Sequence, residues 1–533
     1  MTMRRLAIAT AVAGTLSAPA YAALTENLTT SVVAMAMGNA VTADPPGIAS
    51  IHFNPAGLAR LEGDSESIHN FVASIRTSAS FKPGEGFDVG GWRDDPLSNT
   101  STGPVRQIMY VPAYGMPGWR LPAVAVPGIG MSWNKAGSPW TFATDSYMSQ
   151  AMSLDRTTDP NDPGQYQGRQ EQIQRLVYAA PSVGYKFSDT LRFGVSVPIA
   201  HAAFVVDTNM RFPNELLGVF GQLQKGWCPE NGGNIIDVFG FGVCGGGKDG
   251  MVSPFKKAAN MRLELTAPFD PTINFGVLWE PSPKFALGAV YQGGSKTHYT
   301  GSYVFTTEPM LRNFVRGMNA SLLGPIAGAV LGFPSSIPAV QKGNMSATIP
   351  FPAHLQVGVK LKPVKYIQLN VDASYARWSD WDALRFQFDQ SVKLLEVARL
   401  YGIPDSGKLI IPRGYKSVVN LAYGLQLNPI DRLSIRLGYE PRKTSVPNDK
   451  IDLLAPLPNT KLRSAGIGFK LNKDTDINIT GSYMSGKFYT PANTSCNMNC
   501  NTFLNVIYNP YAGQNVSGDI HVRYFGFELN KRF

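Results

Sequence analysis

The sequence predicts an all-β membrane fold: an antiparallel transmembrane β-barrel of about fourteen strands, with an N-terminal hatch, or plug, in its lumen. Three observations carry this. Short turns alternate with long loops, apolar residues recur with period two, and no later stretch of about 18 uninterrupted apolar residues offers a membrane helix.

The first element is an export signal. Arg4 and Arg5 form a basic head, Leu6–Leu16 an apolar core, and Ala20-Tyr21-Ala22 a small-x-small cleavage site. Residues 1–22 therefore read as a signal peptide, with the mature chain starting at Ala23. The apolar core is too short to span a bilayer comfortably. An exported chain that lives in lipid without helices is left with the closed barrel, because lipid satisfies no backbone hydrogen bond.

Residues 23–64 do not read as strand. They are rich in Ala, Gly and small polar residues and are interrupted by Pro45, Pro46 and Pro55. About fourteen strands enclose more space than wall side chains alone can fill. A plug over 23–64 and a barrel over 65–533 are expected.

Strands are expected at 66–80, 105–116, 122–134, 173–187, 190–207, 262–279, 284–300, 347–362, 365–378, 416–428, 432–443, 461–472, 474–488 and 519–533. In one of them Leu355, Val357, Val359 and Leu361 alternate with His354, Gln356, Gly358 and Lys360. The apolar set faces lipid and the other set the lumen. Trp279, Tyr291, Trp378 and Tyr439 sit near strand ends, where an interfacial girdle belongs. Phe525, Phe527, Leu529 and the terminal Phe533 alternate in a closing strand. Turns such as Phe187–Thr190, Lys362–Lys365 and Asn472–Thr475 are short, whereas the loops on the other side run to tens of residues. That asymmetry separates periplasmic turns from extracellular loops in a bacterial outer-membrane barrel.

Composition fits. The net charge is +10, but Lys and Arg form no stripe, so nucleic acid is not an expected partner. Charged residues make up only 16%, because every strand averages a lipid face with a polar one. The expected partners are outer-membrane lipid, lipopolysaccharide and a hydrophobic small molecule, around a monomeric barrel. Cys228, Cys244, Cys496 and Cys500 fall in outer loops of an exported chain, so two loop-local disulfides are expected, Cys228–Cys244 and Cys496–Cys500. Four cysteines allow three connectivities, and sequence does not choose among them. No metal-ligand spacing or cofactor motif is found. Gly242–Lys248 imitates a phosphate loop and Gly240–Gly245 a dinucleotide fingerprint. Asp249 stands where Ser or Thr must meet magnesium, and neither motif lies between a strand and a helix.

Ala34–Ala43, Asn54-Pro55-Ala56-Gly57 before the first strand, Ser374–Leu384 with its two tryptophans, and Leu437–Pro447 followed by Leu457-Pro458-Asn459 together resemble segments of the FadL-type outer-membrane transporters. The resemblance implies a fourteen-stranded barrel, a lumen hatch, and lateral release through a gap beside a kinked third strand. It implies uptake of long-chain fatty acids or of hydrocarbons such as toluene and xylene. Two departures stand out: no basic residue occurs in Met35–Ala40, and the outer loops are longer and carry cysteines. No charged ligand-binding pair is carried over.

The candidate site residues follow. Asn54, Pro55, Ala56 and Gly57 are the hatch element whose rearrangement opens the path. Pro127 and Gly128 lie inside a predicted strand, where a missing donor and a weak packer should break pairing, giving either a bulge or a wall gap. Outer-loop helices are expected over Phe212–Trp227, with Asn214 as N-cap, within Leu311–Val340, and over Gln390–Leu400. Their Leu216, Leu217, Phe220, Leu323 and Ile326 either cap the loops or form a capture groove. Arg436 faces the lumen, to hold a carboxylate or to pair with Glu440 or Asp372, whereas Lys360 and Lys470 near the periplasmic ends are expected in solvent. The six histidines show no nucleophile–base spacing, so a barrel lipase is the enzyme alternative to a channel. A structural barrel with an empty lumen is the third reading. Apolar Leu278, Ile520 and Val522 argue against it if they face inward.

Overall fold

In the computed structural model, residues 27–109, 119–121, 124–229, 237, 240–399, 403–454, 456–501 and 509–533 are described. The signal-peptide expectation lies outside them. Fourteen strands close a barrel: β1 Ser65–Pro83, β2 Val124–Trp133, β3 Trp140–Asp145, β4 Ser182–Lys186, β5 Leu191–Ser196, β6 Asn274–Ser282, β7 Phe285–Gln292, β8 His354–Val364, β9 Ile367–Ala376, β10 Val418–Ile430, β11 Leu433–Arg442, β12 Thr460–Lys470, β13 Thr475–Thr490 and β14 Gln514–Arg532. All neighbours are antiparallel, and β1 pairs with β14 from Ser65↔Arg532 to Pro83↔Gln514 to close the cylinder. No helix among the described residues is long and apolar enough to cross a membrane.

The count of fourteen hides two compensating errors. Of the expected strand at 105–116, of which 110–116 lie outside the described residues, Gln107–Met109 is strand and pairs with Trp119–Leu121 in a two-stranded ribbon outside the barrel. Its place in the wall belongs to β3, six residues long and too short for its alternation to stand out.

Period two assigns the faces. Leu355, Val357 and Leu361 are exposed on the outside while Gln356 is buried, and Leu278, Ile520 and Val522 are buried. Trp279, Tyr291 and Tyr439 lie on the outer surface. Trp378 does not: it is 5% exposed, packed edge-on to Trp381 and tilted against Tyr415 in the turn after β9.

On the extracellular side eight further strands form a separate sheet. Its members, such as Gln170–Ala179, Ile199–Met210, Ala259–Pro271 and Ser295–Thr307, continue the expected long strands past a hinge. The hinges fall at Pro181, Pro198, Gly293-Gly294 and Pro352, residues that drop a ladder donor or tolerate a bend. This sheet carries the largest apolar cluster, including Phe204, Leu263, Phe305, Phe386 and Leu409. The helix Pro309–Asn319 buries Leu311, Phe314 and Val315 against it. Glu215–Trp227 is helical with Asn214 Oδ1 accepting from Leu216 N–H at 2.9 Å, as its N-cap position requires. The other two expected loop helices form over Gly324–Leu331 and Lys393–Val397. Disulfides join Cys228 to Cys244 and Cys496 to Cys500. The first ties the Gly240–Lys248 loop beside Gly317, where a Cβ would fall 2.3 Å from Gly246 N. That backbone-to-backbone packing accounts for the glycines which imitate nucleotide motifs.

Candidate functional site

The lumen floor is built by the N-terminal segment. The Ser31 hydroxyl accepts from Ala34 N–H at 3.3 Å and starts the helix Val32–Ala36. Gly38, at φ +62°, turns the chain so closely against β11 that a Cβ would lie 2.6 Å from Tyr439 N. Asn54 caps the turn Pro55–Arg60 through Ala56 N–H at 3.2 Å. Its side-chain amide donates to Thr42 O at 2.8 Å and to Val277 O of β6 at 3.0 Å. Gly276 of β6 makes room for it, since a Cβ there would meet Asn54 Oδ1 at 2.1 Å. Pro55 and Ala56 follow as buried contacts against Gly194 of β5, and buried Gly57 packs on Pro45 and Ser50 within the floor.

Charges lock this floor to the wall. Arg60 donates to Asp44 at 2.9 Å and to Glu280 at 2.6 Å. Lys360 pairs with the same two acids at 3.0 and 3.3 Å, and Arg192 with Glu280 at 2.5 Å. Lys360 is thus an anchor at 12% side-chain exposure, not a solvated end group. Burial works to raise the Asp44 pKa, but Arg60, Lys360 and the Gln368 hydrogen bond hold it below the usual carboxylate range. His52, also on the floor, shares hydrogen bonds with the Tyr147 hydroxyl at 3.3 Å and Asn27 Oδ1 at 2.6 Å. Burial first, then His354 and Arg175, push it down to about 3, so it is neutral.

The wall beside this floor is incomplete. Pro127 and Gly128 pair with Asn70 and His69 of β1 on one side. On the other side the β2–β3 ladder covers only Gly130–Trp133 against Phe142–Asp145. It ends where Ser146 N–H donates to Ile129 O at 3.0 Å. Beyond that point Tyr147–Asp155 leaves the barrel for the extracellular sheet. From the lumen side, Leu28, Val32 and Met35 share one buried apolar cluster with Phe71, Val126 and Met148. The floor segment therefore backs this stretch of wall.

Two cavities lie above. The lower, of about 510 Å³, is polar and is lined by His52, Tyr147, Arg175, Gln292 and His354. The upper, of about 710 Å³, is walled by Phe204, Met261, Leu263, Phe386, Leu409 and Ile411. Arg211 and Arg413 line it as well. Arg211 donates to both Asp95 oxygens at 2.8 Å and to Pro510 O at 2.6 Å. Arg413 is 1% exposed and pairs through Nη1 with Asp452, yet its Nε–H has no hydrogen-bond partner among the described residues.

The sequence-predicted loop and lumen residues do not converge on one site. Leu217 and Phe220 pack on the extracellular core, with Phe220 6.3 Å from the Phe314 ring. Leu216 is half-buried, and Leu323 and Ile326 are exposed at 40% and 62%. Arg436 sits in the lumen wall, donating to Gln426 at 2.7 Å and Asn478 at 2.8 Å. Asp372, one acid considered for it, accepts instead from the backbone N–H of Thr42 at 2.7 Å. Sequence reasoning missed Arg413, the Asp44–Lys360 pair and the wall glycines that admit the floor. The glycines had a signal: they occupy inward positions of the period-two pattern.

The family described as outer membrane protein transport protein (OMPP1/FadL/TodX) matches residues 10–533. The chain belongs to that family. Its barrel is accordingly an outer-membrane one, from a family of transport proteins. A long-chain fatty acid transport protein of Escherichia coli O6:H1 is 22% identical over 217 residues, which covers 40% of this chain and 42% of that relative. The matched stretch thus spans less than half the length of that curated relative. Among solved structures, a Pseudomonas aeruginosa FadL homologue superposes with a TM-score of 0.65 at 16% identity, covering 97% of this chain and 100% of that one. The Ralstonia pickettii toluene transporter TbuX gives 0.55 at 14% identity, over 94% and 97%. The Pseudomonas putida toluene transporter TodX gives 0.58 at 13%, over 97% and 100%. At these identities the likeness concerns the fold.

Proposed function

We propose that this chain is an outer-membrane channel for passive uptake of long-chain fatty acids or similar hydrophobic molecules. The observation that carries the reading is the upper cavity. It has aliphatic and aromatic walls and one buried guanidinium with an unused donor. An acyl chain gains about 0.8 kcal/mol per buried methylene, so twelve of them favour such a wall over water by about 10 kcal/mol. A carboxylate gains a charge-assisted hydrogen bond from Arg413 Nε.

The route runs downward. Capture at the exposed apolar face of Glu215–Trp227 and Gly324–Leu331 is followed by the upper cavity, then the lower one beside His52. Residues 23–64 act as the hatch. The Asn54–Gly57 turn is bonded into the wall through the Asn54 side-chain amide on Val277 O and serves as its anchor, so movement falls to the arm Asn27–Met37. Withdrawing Leu28, Val32 and Met35 uncovers Val126–Gly128, and the ligand leaves sideways between β2 and Tyr147 into the membrane. A concentration gradient is sufficient drive, and a single barrel contains the whole path.

The experiment is uptake of labelled palmitate and of toluene by an outer-membrane-channel deletion host carrying this chain or an empty vector. Palmitate uptake above the vector supports the reading, and none overturns it. Uptake of toluene alone selects the second reading, an aromatic-hydrocarbon channel. That alternative is favoured by the absence of any cation in Met35–Ala40.

A further inference from the structure

The lipid-facing surface of β12, β13, β14 and β1 changes character abruptly near its extracellular edge. The register places Arg463 opposite Tyr483, Tyr483 opposite Arg523, and Arg523 opposite Ser74, in one row across four strands. The next row reads Lys461, Ser485, His521 and Arg76. Lys487 follows on β13, opposite Asp519. All five Lys and Arg side chains point outward and are exposed. None takes part in an ion pair among the described residues. The acid facing them is Asp519, which accepts from Ser78 Oγ at 2.9 Å and lies 3.8 Å from His521 Nε2. His521 also shares a hydrogen bond with the Tyr483 hydroxyl at 2.5 Å.

The rows on the periplasmic side carry no charge: Ala465, Gly481, Phe525 and Val72, then Ile467, Ile479, Phe527 and Asn70. Height agrees with the change. From Ser65 at the periplasmic rim, Arg76 lies eleven residues up β1. At about 3.3 Å per residue and a tilt of about 40°, that is roughly 28 Å, against a hydrocarbon band of about 25 Å. The cations therefore stand at the headgroup level of the outer leaflet. A shallow recess of about 500 Å³ lined by Ser74, Arg76, Tyr483, His521 and Arg523 lies among them. With strands about 4.8 Å apart, four strands present a cationic face roughly 15 Å wide, enough to meet more than one phosphate of a single headgroup.

We propose that Arg76, Arg463, Arg523, Lys461 and Lys487 form a docking site for a phosphorylated glycolipid of the outer leaflet, of the lipopolysaccharide type. Phosphates take the guanidinium and ammonium groups, the Tyr483–His521 pair meets the sugar, and the acyl chains lie along Val72, Phe525 and Ile479. Cations clustered at a membrane surface bind anionic headgroups in this way. The site is on the outside of the barrel and is independent of the ligand path.

The test compares the full-length barrel with Arg76→Glu/Arg463→Glu/Arg523→Glu. Both are purified in mild detergent and exposed to lipopolysaccharide, to its dephosphorylated form and to inorganic phosphate. The expected result is about a tenfold or greater loss of bound lipopolysaccharide in the triple variant, with no binding of the dephosphorylated form to either protein. Equal retention by the two proteins overturns the site. Equal binding of phosphorylated and dephosphorylated lipid overturns the role of the phosphates, and displacement by inorganic phosphate alone at equal concentration overturns the lipid as occupant. Heat-modifiable gel mobility reports folding. If the triple variant does not fold, the single Arg76→Gln, Arg463→Gln and Arg523→Gln variants, each expected to lose about threefold, decide the matter.

Discussion

A methyl group on Gly128 would sit 2.0 Å from Nε2 of His69, so these two residues of paired strands fill one space in the barrel wall. The Ser146 carbonyl oxygen closes the same spot at 2.3 Å. The gap between β2 and Tyr147 is therefore plugged by an imidazole, and glycine is required beside it.

Gly128→Leu forces a side chain into that space and is expected to lower uptake by about tenfold or more while the barrel still folds, since overpacking costs about 1–3 kcal/mol. His69→Ala in the same chain frees room and should restore much of the loss. Labelled-ligand uptake, normalised to heat-modifiable barrel at the cell surface, measures both. Unchanged uptake in Gly128→Leu removes the wall gap from the route.

Asn54→Ala removes a cap and two hydrogen bonds that join the floor to itself and to β6. At about 1 kcal/mol for the cap and about 1 kcal/mol for each bond, the anchor weakens by about 3 kcal/mol. Planar-bilayer recordings should show larger and noisier conductance than in the parent channel. A quiet trace would mean that the anchor lies elsewhere.

His52 makes the floor sensitive to acid. Its folded value of about 3 lies below its ordinary 6.5. The seated state therefore binds fewer protons than a displaced one, and its stability rises with pH in that window. It is complete above 6.5 and is lost progressively as pH falls toward 3. Asp44 adds a second loss, below its ordinary 3.8, as its ion pairs with Arg60 and Lys360 are protonated away. Hydrogen exchange of the floor segment, relative to the intrinsic amide rate at each pH, should quicken between pH 7 and pH 5, and His52→Gln should flatten that dependence. An unchanged profile in His52→Gln would assign the acid response to other groups.

Arg413→Met takes away the cation paired with buried Asp452, which costs about 3–5 kcal/mol, so the informative variant is Arg413→Met/Asp452→Leu. It is expected to bind palmitate about tenfold or more weakly and toluene unchanged, because only the carboxylate loses a charge-assisted hydrogen bond. Tryptophan-quenching or calorimetric titration distinguishes the two ligands. Equal loss for both would make the cavity's shape, not its guanidinium, the determinant.

Cys228→Ser/Cys244→Ser opens a loop with a sequence separation of 16. Closing such a loop is worth about 3 kcal/mol, so the helix Glu215–Trp227 should become protease-sensitive while the barrel band on gels stays unchanged. Uptake should fall only if this helix is the point of capture.

Much of the fold was legible because a strand in lipid must alternate. In the second half the bounds of β9 to β13 were read to within about two residues, since each strand there is long and bounded on one side by a short polar turn, whereas β8 was begun seven residues early and β14 five residues late. Around β3 reading failed, because six residues give three inward positions and too little signal. The hinges at Pro181, Pro198 and Pro352 were invisible as hinges. Wall and extracellular sheet both bury one face, so the alternation runs through the break without changing. Trp378 misled for a similar reason: a tryptophan near a strand end fits a girdle and an aromatic cluster equally well.

By itself the sequence determined the export signal as an expectation, the closed antiparallel barrel, the face each strand turns to lipid, and the loop helix capped by Asn214, because these follow from local periodicity and local capping chemistry. Only the tertiary structure decided that Lys360 grips Asp44 across 316 positions of chain, that Asn39 reaches Glu440 across 401, and that Arg413 lines an apolar cavity. Residues that meet across a lumen share no spacing and no pattern. Which of them touch is set by how far the cylinder closes and where its plug comes to rest.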